Sequence, residues 1–404
     1  MAATLRDDDD DAKGRTRMAL YCVQGVSILN VLAVHSKVGH GTYFFKHFIN
    51  RAVSMFMVCF GISSKLWCDN FAKNNNISNF TPSKFLNLYK HFVFGRLKRL
   101  VVPWWLTLFF WQATGVANKT SFLYRSAGLK PSKVNWFHAY FLAYAPQLGA
   151  SWFATEILMQ ILLYPMLHLA TTVKASSHII DQIFLSLAVC LSALCVYIPE
   201  NFLHGLKQSF GFYSSQIIWP SLYFGKIMFG AMVLSKYCVN DGSNRDQKNI
   251  TTQNDTEVTD GHEKRISTKY GLFSCVVTII GSYAHACLLS PSAFYFDDNE
   301  PFFQFTRELL DVPLAYSMFW SIQQIYATMK TYNIQILESV MENLYRIGKR
   351  TWALYLGHLI LQNAIHLKYI PTLSFINLDK SRCLHFVLLF GCGSLFKKVL
   401  DLAA

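Results

Sequence analysis

Apolar residues in this chain do not alternate with polar ones in a strand-like period, and they seldom form the single stripe of a surface helix. They run together in blocks of about 20 residues, the length an α-helix needs to cross the hydrocarbon core of a bilayer at 1.5 Å per residue. The blocks lie at Met18 to Val38, Asn50 to Cys68, Val101 to Ala117, Ala150 to Thr172, Ile179 to Ile198, Gln216 to Val239, Tyr270 to Ser290, Glu308 to Met329, Thr351 to Leu367 and Cys383 to Val399. Because the backbone of a segment in lipid must satisfy its own hydrogen bonds, the pattern predicts an all-α polytopic membrane protein with about ten transmembrane helices.

The hydrophilic connections give this arrangement a direction. Residues 1–17 are polar and lack the apolar core of a secretory signal, so they are expected to form a cytoplasmic tail ahead of a transmembrane domain over residues 18–404. Lys and Arg collect before the first span, after the second (Lys73, Lys84, Lys90, Arg96, Lys98, Arg99), after the sixth, and before the ninth (Arg346, Lys349, Arg350), whereas Phe294 to Phe303 is acidic. The bias places both termini in the cytoplasm, although Lys119, Arg125, Lys130 and Lys133 weaken it in the third connection. Residues 240–269 carry no apolar periodicity and read as a disordered cytoplasmic loop, which would leave the sequons at Asn249 and Asn254 unused.

Composition sharpens the picture. Of 404 residues 52% are hydrophobic and only 15% charged, against roughly 25% charged in an average soluble domain. The net charge of +13 would suit nucleic acid in a soluble protein. Here the basic residues mark cytoplasmic loops, and no nucleic-acid partner is expected. The ten cysteines lie mostly within apolar blocks without metal-ligand spacing, so no metal site is expected.

Polar side chains inside such blocks cost about 2.5 to 3.5 kcal/mol on insertion scales when ionisable, and each needs a partner, a cavity or a task. In the first block Gln24 and His35 share a helix face about 16 Å apart. Arg96 and Arg99 stand at i, i+3, where two guanidiniums can grip one phosphate group; the plainer reading is a topological anchor with Trp104 and Trp105 at the interface. In the fourth block Trp152, Glu156, Gln160 and Tyr164 recur every fourth residue as one polar and aromatic stripe. In the ninth, Thr351, Tyr355 and His358 share a face, and Gly357 allows close approach of another helix. Lys226 and Asp311 are read as snorkelling or paired residues.

Taken in order, these segments resemble the acyltransferase 3 family of ten-helix membrane acyltransferases. The resemblance is carried by Gln24 to His35, by Phe56 to Gly61, by Arg96-Leu-Lys-Arg99 with Pro103, and by Gly348 to His358 with its Tyr355-Leu-Gly-His ending. Ser151-Trp-Phe153 and Gly225 to Gly230 fit weaker family patterns. Gln24 stands where the family has arginine, Phe60 where it has serine, and Thr351-Trp352 where it has Ser-Tyr.

The resemblance implies transfer of an acyl group, commonly acetyl, from cytoplasmic acyl-CoA to a hydroxyl of a carbohydrate or other acceptor at the bilayer, with acyl-CoA as a substrate and no bound cofactor. A hydroxyl is a poor nucleophile, which makes His35 the expected general base. Arg96 and Arg99 suit the CoA phosphates. Gln24, Trp152 and Tyr355 are expected to help bind the donor, with His358 and Glu156 lining the catalytic cavity. Two rival readings use the same residues: a transporter or flippase, against which the absence of an internal repeat argues, and a degenerate scaffold that binds donor or lipid without turnover, which Gln24 favours.

The charge bias makes a test possible. An engineered cysteine at Asp260 should be protected from an impermeant thiol reagent in intact cells, and one at Asp298 should react with it; the reverse labelling would invert the orientation.

Overall fold

The computed structural model describes residues 2–36, 38, 52–77, 81–113, 136–141, 143, 145, 152–172, 317–326, 328–329, 332–366 and 382–403, with single positions at 186, 190, 280 and 314. Apart from those single positions, the expected spans at 179–198, 216–239 and 270–290, most of the third connection, the loop at 240–269 with its sequons, Phe294 to Phe303, Gly225 to Gly230, Lys226 and Asp311 lie outside the described residues. Among the described residues all regular structure is helical. The elements are α1 (Ala2–Ser36), α2 (Ala52–Asn74), α3 (Pro82–Ala113), α4 (Trp136–Phe141), α5 (Trp152–Thr172), α6 (Gln335–Lys349), α7 (Thr351–His366) and α8 (Arg382–Ala403). Among the described residues three helical stretches are long and apolar enough to cross a membrane: Gly14–Ser36, Ala52–Asn74 and Arg382–Asp401. Phe153–Leu169 in α5 is apolar but shorter.

Local chemistry explains several boundaries. Helix α2 ends where Asn76 adopts a left-handed φ of 49° and the Ile77 amide reaches back to the Ala72 carbonyl at 2.9 Å, a C-terminal motif that asparagine tolerates better than most residues. Helix α3 starts 19 residues before its apolar block, because Thr81 caps it through the Lys84 amide at 3.5 Å and Pro82 supplies a preset φ at the first helical position. The Arg96 motif therefore belongs to the same helix as the apolar block, and Pro103 lies inside that helix without ending it.

Helix α3 packs on α5, with Trp104 and Trp111 fully buried. The short α4 is pinned to α3 by indole hydrogen bonds, Trp104 Nε1 to the Ala139 carbonyl at 2.8 Å and Trp105 Nε1 to the Tyr140 carbonyl at 2.7 Å. Trp104 is thus a core residue and not an interfacial one, while its neighbour Trp105 is exposed.

Helix α6 was not expected from the apolar blocks. It is amphipathic, with Leu337, Met341, Leu344, Tyr345 and Gly348 recurring on one face, and Met341 buried against Ala19, Cys22 and Val23 of α1. The crossing is tight enough that a methyl group on Gly25 would collide with the Leu344 carbonyl, and one on Gly348 with the Tyr21 carbonyl. Arg350 alone separates α6 from α7, and the Thr351 hydroxyl donates to the Gly348 carbonyl at 2.7 Å across the joint.

Helix α7 then packs on α8 through Gly357 and Gly393, so the close approach expected at Gly357 is present. Helix α8 leaves Leu384, Val387, Leu395 and Val399 exposed, as a helix bordering lipid would.

Without the hydrophobic effect to hold helices together in lipid, such close contacts carry much of the association. Gly357→Leu should therefore lower stability by about 1–3 kcal/mol or more. Gly391→Ala, facing open space on the same helix pair, should be neutral or stabilising by up to about 1 kcal/mol. Thermal unfolding of both variants in detergent checks the contrast; equal loss of stability would refute the tight crossing.

Candidate functional site

Helix α7 carries Thr351, Tyr355, His358 and Gln362 at successive intervals of three or four residues, so all four lie along one face. The last turn of α1 brings His35 to that face. The His35 and His358 rings lie with centroids 4.9 Å apart and a tilt of 36°, and the Gln362 side-chain amide nitrogen stands 3.1 Å from His35 Nδ1. Tyr355 meets His358 edge-on at 5.2 Å, stacks on Trp352 at 5.4 Å and touches Phe153 of α5 at 5.1 Å. His358 is fully buried, and Tyr355 and Gln362 nearly so, while His35 is partly accessible. No side chain among the described residues hydrogen-bonds either ring nitrogen of His358; the groups that interact with the ring as hydrogen-bond acceptors are the Leu354 and Tyr355 carbonyls one turn back.

The polar stripe of α5 faces inward as expected: Glu156, Gln160, Tyr164 and also His168 are each no more than 3% exposed. Glu156 lies within electrostatic range of Tyr355, and Gln160 donates to Met57 Sδ at 3.1 Å. Twelve residues of helix separate Glu156 from His168, about 18 Å, so the stripe joins the histidine pair to a second polar region.

That region is built around Arg96. Its guanidinium lies over the rings of Phe92 at 4.6 Å and Phe60 at 5.1 Å, and Nη2 is 3.5 Å from the Ser63 hydroxyl. Phe60 thus supplies one of the aromatic faces that hold the cation. Tyr164 stacks on Phe92 at 5.6 Å and meets Phe60 edge-on at 6.2 Å. Nearby, Lys65 binds both carboxylate oxygens of Asp69 at 2.7 Å, and His168 Nε2 lies 4.0 Å from the same carboxylate.

Several expected site residues therefore come together: His35 with His358 and Tyr355, and Glu156 beside them. Arg96 and Arg99 do not converge symmetrically, since Arg96 is half-buried between aromatic rings and Arg99 is exposed. Gln24 is half-buried on α1 about 16 Å along the helix from His35, so it is no part of the histidine cluster. The Trp152 side chain lies outside the described residues.

The sequence reading missed Gln362, Lys65, Asp69 and His168. Gln362 continues the face of Tyr355 and His358 by one more turn, and His168 continues the α5 stripe by one more step, so periodicity extended a little further would have found both. Among the described residues no group of three or more His, Cys, Asp or Glu side chains is placed to hold a metal ion. No family model, curated protein or solved structure matches the chain.

Proposed function

We propose that the chain is a polytopic membrane acyltransferase of about ten spans with cytoplasmic termini, moving an acyl group from acyl-CoA to a hydroxyl of an acceptor at the bilayer. The observation that carries this reading is the pairing of His35 with His358 inside an apolar helix assembly, at one end of a buried polar stripe whose other end holds Arg96. Acyl transfer needs both ends: a cation for the donor phosphates and, at the far end of the flexible pantetheine arm, a group that accepts a proton. The acceptor oxygen bonds to the thioester carbonyl carbon, the carbon–sulfur bond breaks, and the hydroxyl proton passes to a histidine of the pair and then to the departing CoA thiolate.

Arg96 is the principal phosphate ligand in this reading. Its guanidinium is oriented by two rings and stays charged at any physiological pH, whereas the exposed Arg99 is free to move and is screened by solvent. A degenerate scaffold that binds donor without turnover is the second reading, and Gln24 favours it by replacing a cation with a neutral amide.

Arg96→Ala should weaken acyl-CoA binding to purified protein by about 1.5–3 kcal/mol, Arg96→Lys should restore only part of it, and Arg99→Ala should cost less than Arg96→Ala. Equal donor affinity in all three would return the motif to a topological anchor.

His35→Ala and His358→Ala should each lower turnover by roughly 10² to 10⁴ while leaving donor binding intact. The assay is CoA release by protein in bilayer discs, joined to profiling of acyl esters in cells with and without the chain. Donor binding without turnover in the unaltered protein would select the scaffold reading, and turnover retained in both histidine variants would end this mechanism.

A further inference from the structure

The acyl-transfer reading leaves the roles within the histidine pair undivided, and Gln362 divides them. A glutamine amide nitrogen carries two hydrogens and offers no lone pair, so facing His35 Nδ1 at 3.1 Å it can only donate. Nδ1 must then accept, and a neutral ring that accepts at Nδ1 carries its proton on Nε2. We infer that Gln362 is a positioning residue that holds His35 in the Nε2–H tautomer, making His35 a hydrogen-bond donor and leaving His358 as the proton acceptor.

Geometry supports the division. Gln362 and His358 stand one turn apart on α7, so a single rigid helix holds His35 at two points, by the amide at Nδ1 and by the neighbouring ring at 4.9 Å. Gln362 is only 9% exposed, which shields the contact from competing water. The Leu354 and Tyr355 carbonyls beside His358 can engage only an N–H, and no side chain among the described residues donates to the ring, so the neutral imidazole retains an unused lone pair on its other nitrogen.

In the reaction proposed above, on which this assignment of roles rests, the His35 N–H stabilises the negative charge that develops on the thioester carbonyl oxygen as the acceptor attacks. The hydroxyl proton goes to His358 and from there to the CoA thiolate.

The test reads the tautomer directly. Protein labelled with ¹⁵N-histidine is measured in detergent at a pH where the ring is neutral, and the His35 signals are identified by their loss in His35→Ala. The unaltered protein should show Nε2–H. Gln362→Glu, whose carboxylate can only accept, should move the proton to Nδ1, and Gln362→Leu should give a mixture. Turnover should fall roughly 10²-fold in Gln362→Glu, the scale expected of a misoriented catalytic group, with donor affinity unchanged.

Nδ1–H in the unaltered protein, or His35 signals indifferent to both Gln362 variants, overturns the tautomer assignment; Gln362→Leu alone decides if Gln362→Glu does not fold. Full turnover in His358→Ala overturns its role as acceptor. The expected tautomers in a protein that transfers no acyl group would uphold the Gln362–His35 pairing while removing the acyl-transfer reading.

Discussion

The contact between the Gly348 backbone and the Tyr21 carbonyl governs where everything after it falls. No side chain intervenes, so α6 and α1 have little freedom to slide without a collision, and the Cys22 thiol donating to the Met341 carbonyl at 3.4 Å marks the same register. Because α7 begins only two residues after α6 ends, fixing Gly348 fixes the start of α7. Ten residues further along, His358 arrives beside His35, which α1 carries 14 residues beyond Tyr21. The second glycine crossing, Gly357 on Gly393, holds α7 against α8. The histidine pair is thus held by backbone contacts at a distance, and the rings themselves need supply little of the energy.

The polar residues obey a related constraint. In an apolar helix assembly, groups such as Glu156, Gln160, Tyr164 and His168 can be retained only if they share one interior line, because each would be costly to present to hydrocarbon. Spacing of four residues achieves that on α5, and nearby residues of α2, α3 and α7 then supply sulfur, ring faces and charge. Arg96 shows how a cation fits the same assembly: two aromatic faces compensate part of its lost hydration, and the Ser63 hydroxyl meets one guanidinium nitrogen at 3.5 Å.

Much of this was legible in the residues alone. The inward stripe on α5, the shared face of Tyr355 and His358 and the small-residue contact at Gly357 follow from helical spacing, a purely local rule. What the sequence did not disclose was relation between distant segments. Nothing local says that Phe60 covers Arg96 or that Arg96 and Arg99 differ in burial. Helix α6 escaped because it is amphipathic, so a criterion that seeks continuous apolar blocks passes over it. The Lys65–Asp69 pair escaped because Asp69 falls one residue beyond the apolar block that contains Lys65, and the i, i+4 pairing shows only once the helix is seen to continue to Asn74.

Pro103 carries a mechanical consequence for α3. Proline has no amide hydrogen, so the Arg99 carbonyl lacks the donor that would close the helix ladder four residues on. The missing rung falls between the arm that bears Arg96 and the segment that Trp104 and Trp105 rivet to α4. Bending stiffness along this helix is therefore lowest at the boundary between its cation-bearing half and its anchored half, which makes α3 two levers sharing a compliant joint rather than a single rod.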